Sequence, residues 1–435
     1  MKVSVYTFGC KANRAESEEL GERFRRSGFS IVPCGEKTDV YVVNACSVTQ
    51  KAEKEVRQTI HKIKHLYPQA RIFVAGCFTQ DLINKESEKV DRWIKDFKIS
   101  SVLPAKTRRV DGRAQKRFSS QQSPAGSGEK RTRALIKIQG GCRRYCAFCI
   151  VPFLKTRLKS RSIKKVIQEI KDKEKQGYQE VVLVGTNIGE YNRKVNPPAG
   201  GQRLKVKIIR LIDLLKEILK KTSTPRIRLS SLWPTVVTPE LIRLIKKEPR
   251  ICPHLHLSVQ SASDKILKAM GRDYTNQDLR RIVKNLRQIP NLNLTADIIV
   301  GFPGETESDF KQTADFVKEA KFIKVHIFRF SPRAGTRAYS ADNQISEIIK
   351  KNRSKKLAEL SAKVNQNKIK KYIKQTFPVL FEHQQAGYRQ GFTPNYLKVF
   401  VKNKKDLTNQ IVKVKLSRLY KEGFIGKLIN IHNSY

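Results

Sequence analysis

The sequence predicts an α/β protein in three units: an N-terminal doubly wound parallel α/β domain, a central partial (β/α) barrel and a small C-terminal β-barrel. Three observations predict it. Strand-length apolar runs alternate with amphipathic helical stretches through most of the 435 residues, and strands separated by helices pair in parallel because a parallel connection needs a long crossover. The alternation is interrupted by a stretch with almost nothing to bury. It stops near Gln375, where short strands with turn residues between them take over.

In chain order, KVSVYTFG from Lys2 reads as a strand, Asn13 to Ser27 as a helix, TDVYVVNA from Thr38 as a strand, Gln50 to Leu66 as a helix, and RIFVAG from Arg71 as a strand. These fill a first domain over 1–105. Residues 106–133 carry nine Lys/Arg and two acidic residues around the polar run SSQQSPAGSG, the composition of a basic linker. From 134 to 373 the strands ALIKIQGG, EVVLVG, RIRLSS, HLHLSVQ, LTADIIVGF and KVHIFRF alternate with amphipathic helices such as SIKKVIQEIKDKEKQ. About six such units suggest a full or partial barrel. Over 374–435 the segments FPVLFEH, YLKVFVK, IVKVKLS and GKLINIH suit a small β-barrel.

The composition narrows the partners. With 88 Lys+Arg against 39 Asp+Glu, a formal charge of +49 attracts a polyanion, nucleic acid first. No apolar run approaches the roughly 18 residues of a membrane span, and MKVSVYTFGC has no charged-then-apolar leader, so a soluble, cytoplasmic protein is expected. Residues 351–435 hold 19 Lys/Arg and four acidic residues, with Tyr388, Phe392 and Tyr396 interleaved. That pattern allows base stacking beside phosphate contacts, and for each ring a place in a small core is the competing role.

Eight cysteines in a reducing compartment point to ligands or core thiols rather than disulfides. Cys142, Cys146 and Cys149 form a C-x3-C-x2-C triplet directly after a strand. A tetrahedral zinc site needs four protein donors and no fourth lies nearby in sequence, whereas three thiolates on a four-iron cluster leave one iron open to bind a small molecule. Cys10, Cys46 and Cys77 each follow a strand. In an open parallel sheet those carboxyl ends form one edge, so residues far apart in sequence converge there. Cys34 and Cys252 lack such partners and read as inert.

The compact triplet resembles that of the radical S-adenosylmethionine (SAM) enzymes. With TFGCKAN, VVNACSV, VAGCFTQ, LVGTNIG, RLSSLWP, HLHLSVQSASDKILKAMGRDY, DIIVGFPGETE and HIFRFSPRAGTRA, nearly the whole chain resembles the methylthiotransferases. Within them it is most similar to the MtaB type, which acts on N6-threonylcarbamoyladenosine in tRNA. The C-terminal segment resembles the TRAM RNA-binding domain.

The resemblance implies two four-iron clusters, one held by Cys142, Cys146 and Cys149 and one by Cys10, Cys46 and Cys77, facing a shared cavity. It implies SAM as cofactor, used once as a methyl source and once as the source of a radical. Such a radical takes hydrogen from unactivated carbon, which acid–base side chains cannot. Phe148, Gly185, Thr186, Asn187, Ser230 and Ser231, Gln260, and Asp297 with Gly301, Pro303 and Gly304 would lie near SAM. Arg329 would meet a carboxylate of SAM or of the threonyl group. His254 and His256 alternate along one strand, packing being their competing role.

Arg143 and Ala262 depart from the commoner acidic or Asn residue and Gly of the family. LKTRLKSRS is less Gly-rich than usual, although Arg157 and Arg161 keep its basic character. The implied partner is the tRNA anticodon loop, met by a monomer, with a sulfur donor and an electron donor that the sequence does not name. The competing functions are a methylthiotransferase for isopentenyladenosine in tRNA or for a ribosomal-protein aspartate, a zinc-containing RNA-binding protein, and a radical enzyme whose second cluster only carries electrons.

Overall fold

The computed structural model describes residues 1–94, 132–195, 207–385 and 387–429. The basic stretch expected as a linker lies outside them apart from Thr132 and Arg133, and Arg133 already opens a strand. Among the described residues no helix is long and apolar enough to cross a membrane.

The first unit is a five-stranded parallel sheet of β1 (Lys2–Thr7), β2 (Ser30–Val32), β3 (Val40–Cys46), β4 (Arg71–Cys77) and β5 (Arg92–Ile94), in the order β2-β1-β3-β4-β5. All seven residues of β3 are buried, as a central parallel strand covered on both faces requires. The helix Gln50–Leu66 starts where the Thr49 hydroxyl accepts from the Ala52 amide, and buries Val56, Ile60 and Ile63 along one stripe. The three-residue strands β2 and β5 were not foreseen, being too short for a visible period.

The second unit contains six parallel strands: β6 (Arg133–Gly140), β8 (Glu180–Gly185), β11 (Arg226–Leu229), β12 (His254–Gln260), β13 (Asn293–Val300) and β14 (Lys324–Arg329). The short strand β7 (Lys159–Ser160) edges β6, and β9 (Asn192–Val195) pairs with β10 (Lys207–Arg210). The six form two sheets, β11-β8-β6 and β12-β13-β14, linked by parallel bridges Ile227–Ile251 and Leu232–Leu257. The result is a partial barrel. One face of its strands, including Ile136, Leu183, Leu229, Leu257 and Ala296, packs under the helices. The other face carries His254, His256, Thr295 and Asp297, and the helix Lys11–Arg26 of the first unit lies against β6 and β8.

The third unit is a closed barrel of β15 (Thr376–Gln385), β16 (Tyr388–Phe392), β17 (Lys398–Val401), β18 (Ile411–Tyr420) and β19 (Gly423–Leu428). Its core is Val379, Phe381, Val399, Val414, Leu416 and Phe424. YRQGF, which has no strong alternation, proves to be a strand because closure supplies partners on both sides.

This barrel plugs the amino ends of the central strands. Arg226 donates to the carbonyls of Phe392 and Pro378 at 3.0 and 2.7 Å, and Arg228 to that of Pro394 at 3.0 Å. Arg228 also pairs with Glu180 at 2.6 Å, both side chains fully buried. Tyr396 stacks on His254 with centroids 4.4 Å apart and on Phe392 at 5.0 Å, under the guanidinium groups of Arg133 and Arg228. Phe392 and Tyr396 therefore serve the interface between units, which replaces the base stacking expected for Tyr396 and is, for Phe392, the packing role that the sequence favours for that ring. Tyr388 packs against Phe400 and Tyr420.

Candidate functional site

The dispersed cysteines meet at the carboxyl edge of the first sheet. Cys46 and Cys77 end adjacent strands and are direct partners in register. Cys10 follows β1, whose neighbours are β2 on one side and β3 on the other, so the three residues flank the point where the strand order reverses, the usual ligand crevice of such sheets. Gly9 makes the approach possible. At φ +89° it suits no other residue, and a Cβ there would stand 2.7 Å from Cys46 Sγ. Asn13 ties the parts together by accepting from Cys10 Sγ at 3.5 Å and donating to the Ala45 carbonyl at 2.9 Å.

Burial pushes the Cys77 thiol up to about 12, and among the weaker influences are Lys155, which opposes the rise, and Cys46 and Cys10, which add to it. Cys46 is likewise raised by burial and by Cys10. Three thiols that sense one another, with a cradle that a side chain would fill, fit a thiolate-ligated cluster.

The compact triplet sits in the loop after β6. The Cys149 amide donates to the Cys146 carbonyl at 2.9 Å and the Ala147 amide to the Met270 carbonyl at 2.9 Å, holding the loop against the end of the helix Asp264–Met270. Gly141, at φ +79°, lets the chain pass the Arg157 carbonyl, which a Cβ would meet at 2.4 Å. Glu190 receives the Arg143 amide at 3.3 Å and pairs with Arg144 at 2.9 Å. Arg143 thus contributes its backbone to the loop anchor.

Burial raises Cys142 to about 11 and Cys149 to about 12. Cys149 feels Cys146 and Cys142, and then Cys77 of the other triplet. The two triplets are thus in electrostatic reach across one space. Among the described residues no group of three or more His, Cys, Asp or Glu is placed to hold a single metal ion. A four-iron cube spreads its thiolates over separate irons, so thiols spaced apart around one cradle are compatible with such a cluster.

Around this space the structure sorts the expected residues. Ser230 is buried and its Oγ has no hydrogen-bond partner, an orphan that a bound ligand would satisfy. Gln260 holds φ +67° where β12 slips register against β13, a strained conformation of the kind found at binding sites. The Asn187 amide donates to Gln139 Oε1 at 2.9 Å, and its side chain lies by Cys142, favouring the thiolate. Gly185 packs closely on the Gln139 carbonyl, Thr186 is half-buried, and Phe148 packs on the core behind the loop.

Other residues are already engaged. Asp297 stands 3.0 Å from His256 Nε2, and His256 and His254 both bond the Thr295 hydroxyl, at 2.7 and 3.0 Å. His256 is engaged through both ring nitrogens, while His254 is packed and bonded through Nε2 alone, its buried Nδ1 having no partner among the described residues. Arg329 lies at the surface, 3.4 Å from Glu347. The Gly301 amide donates to Glu305, which pairs with Arg353, so this turn is internally braced, and Arg161 bonds the Lys137 carbonyl. Cys34 bonds the Val5 carbonyl, while Cys252 is buried near Arg228, away from both triplets.

Three residues were missed from the sequence. Lys155 and Glu16 bridge the two units at 2.7 Å. Lys11 follows Cys10, is accessible, and lies in reach of Tyr396, Arg133 and Arg228, with no hydrogen-bond or ion-pair partner among the described residues. A lysine directly after Cys10 was visible, but its inward aim depends on how the helix docks.

Comparison with known proteins agrees with this geometry. The Radical SAM superfamily model matches residues 136–317, and that of Uncharacterized protein family UPF0004 matches residues 2–95. The chain is 36% identical to the threonylcarbamoyladenosine tRNA methylthiotransferase MtaB of Thermotoga maritima over 98% of this chain and 96% of that protein. It is 32% identical to the tRNA-2-methylthio-N(6)-dimethylallyladenosine synthase of Moorella thermoacetica, over 95% of each. It is 31% identical to the ribosomal protein uS12 methylthiotransferase RimO of Protochlamydia amoebophila, over 88% and 80%. Among solved structures, the radical SAM methyltransferase TsrM from Kitasatospora setae aligns with TM-score 0.52 at 14% identity, covering 78% of this chain and 76% of that one, a likeness of fold.

Proposed function

The chain belongs to the radical SAM methylthiotransferase family, and we propose that within it the substrate is tRNA carrying N6-threonylcarbamoyladenosine beside the anticodon, methylthiolated at C2. What supports this substrate first is the greater identity to the threonylcarbamoyladenosine enzyme than to the dimethylallyladenosine one, 36% against 32%. Lys11, a cation without an ion-pair partner among the described residues, lies among Tyr396, Arg133, Arg228 and Glu180 on the inner side of the central strands. An ammonium in a partly desolvated cavity is stabilised by an anion. The threonyl carboxylate provides one, and a dimethylallyl group does not.

Cys142, Cys146 and Cys149 would hold the four-iron cluster that gives SAM its one-electron chemistry, and Cys10, Cys46 and Cys77 a second cluster. Around them the chain's own groups do the positioning. Lys155, set between Glu16 and the dispersed thiols, lowers the cost of their negative charge. Its pKa is raised: burial opposes the rise, and Cys77 and Glu16 outweigh it. Ser230 and Asn187 offer polar contacts on the barrel side, and the helix Lys11–Arg26 covers the space from the other. The exposed cations of the helix Glu347–Ile369 and of the C-terminal barrel suit tRNA phosphates.

Mass spectrometry of tRNA nucleosides from a strain lacking the gene tests this. Loss of the methylthio mark on threonylcarbamoyladenosine alone is expected. Loss of the mark on a dimethylallyl base instead, with the threonylcarbamoyl mark intact, would overturn the substrate.

A further inference from the structure

Outside the residues considered so far, one buried cation touches a ligand sulfur. Arg272 follows the left-handed Gly271 that ends the helix Asp264–Met270, and its guanidinium is fully engaged. Nε donates to the Tyr274 hydroxyl at 2.6 Å, Nη2 donates to the Ser258 carbonyl, and Nη1 is left facing Cys146 Sγ at 3.5 Å. The plane lies on Trp233, with the guanidinium carbon 3.4 Å from the ring centroid. Trp233 is itself fixed by its indole N–H on Asp273 at 2.6 Å, and Asp273 by Arg144 at 2.6 Å. A chain of contacts thus runs from the surface to one sulfur of the compact triplet.

We propose that Arg272 is a positioning residue that donates a hydrogen bond to the Cys146 sulfur and thereby raises the reduction potential of the cluster held by the compact triplet. The inference rests on the reading of that triplet as a cluster site. Reduction adds negative charge to the cluster and its sulfurs. A fixed N–H donor and a positive charge at the sulfur stabilise the reduced form more than the oxidised one. The geometry suits that task. Cys146 is buried, so the donor acts in a poorly screened environment. Arginine's planar fork is needed because three donors serve three acceptors while the face stacks on an aromatic ring. A lysine at this position would keep the charge and lose the fork.

The test uses full-length protein with Cys10, Cys46 and Cys77 replaced by Ala, reconstituted without oxygen so that one cluster remains. Its midpoint potential is measured by electron paramagnetic resonance in a redox titration. Arg272→Lys should shift the potential negative, and Trp233→Leu, which frees the guanidinium, should shift it the same way by less.

A second measurement needs no variant to fold. With guanidino-15N arginine, double resonance on the reduced cluster should detect a 15N coupling. An unshifted potential in Arg272→Lys, or absence of that coupling in the unsubstituted position 272 protein, overturns the proposal. A preparation that assembles no cluster on Cys142, Cys146 and Cys149 refutes the site itself, a separate result.

Discussion

Lys155 of the central unit donates to Glu16 of the N-terminal unit at 2.7 Å, and Lys137 donates to the same carboxylate oxygen at 2.7 Å. Glu16 is 4% exposed, so its charge is stabilised by these two cations. Its pKa is lowered: burial would raise it, and Lys155 and Lys137 more than offset that. Removing one partner of a buried pair leaves the other charge uncompensated. Glu16→Leu should therefore destabilise the protein by about 3–5 kcal/mol in urea denaturation. Glu16→Leu combined with Lys155→Met and Lys137→Met should recover most of the loss.

The two triplets should be separable in iron content. Cys46→Ala should lower the iron of anaerobically reconstituted protein from about eight to about four per chain, while SAM is still cleaved to 5′-deoxyadenosine and no methylthio product forms. Iron analysis and product chromatography read both quantities. Full iron with normal product would refute the second site.

Lys11→Met removes the ammonium without emptying its space. A charge-assisted hydrogen bond of about 1.5–3 kcal/mol corresponds to about a tenfold to hundredfold rise in KM for a stem-loop bearing threonylcarbamoyladenosine. Steady-state kinetics on that substrate checks this, and Lys11→Arg should restore much of the affinity. Equal KM for Lys11→Met and the unsubstituted protein would leave substrate choice to other groups.

Docking of the C-terminal barrel should be acid-labile. Glu180 is held at about 2: burial pushes it up, and Arg228, with Arg133 and Arg226, pulls it further down. A folded pKa below the ordinary value of 4.5 means that the pair stabilises the protein fully above about pH 4.5. The contribution fades as pH falls toward 2. Hydrogen exchange in β16 and the turn through Tyr396 should accelerate over that window. In Glu180→Gln the acceleration should be present already at neutral pH.

Affinity for tRNA should fall with salt by about a hundredfold or more between 50 and 200 mM, since phosphate contacts release counterions. Binding titrations at several salt concentrations measure the slope. A flat dependence would exclude the basic helix Glu347–Ile369 and the C-terminal barrel as phosphate-contacting surfaces.

Much of this was legible in the chain because the chemistry follows strand ends. Cys46 and Cys77 each close an unmistakable apolar strand, so convergence at one edge followed from parallel pairing alone, and the register Cys46–Cys77 bears that out. The two histidines could be placed on one strand face from alternation, yet their bonds to Thr295 and the approach of Asp297 to His256 depend on the registry of β12 against β13. Phe392 and Tyr396 show the limit. Aromatics among cations look alike whether they await a base or seal an interface, and only the docked Arg228 and His254 distinguish the two.

The order of residues along the chain determined the three units, the two sulfur triplets and the sign of the partner's charge, because periodicity, spacing and composition are local properties. Tertiary structure decided that the triplets look at one another, that Lys11 is left without a partner among the described residues, and that Arg272 reaches Cys146. Each of these depends on groups far apart in the chain, brought together by the docking of rigid elements whose orientation no local pattern encodes.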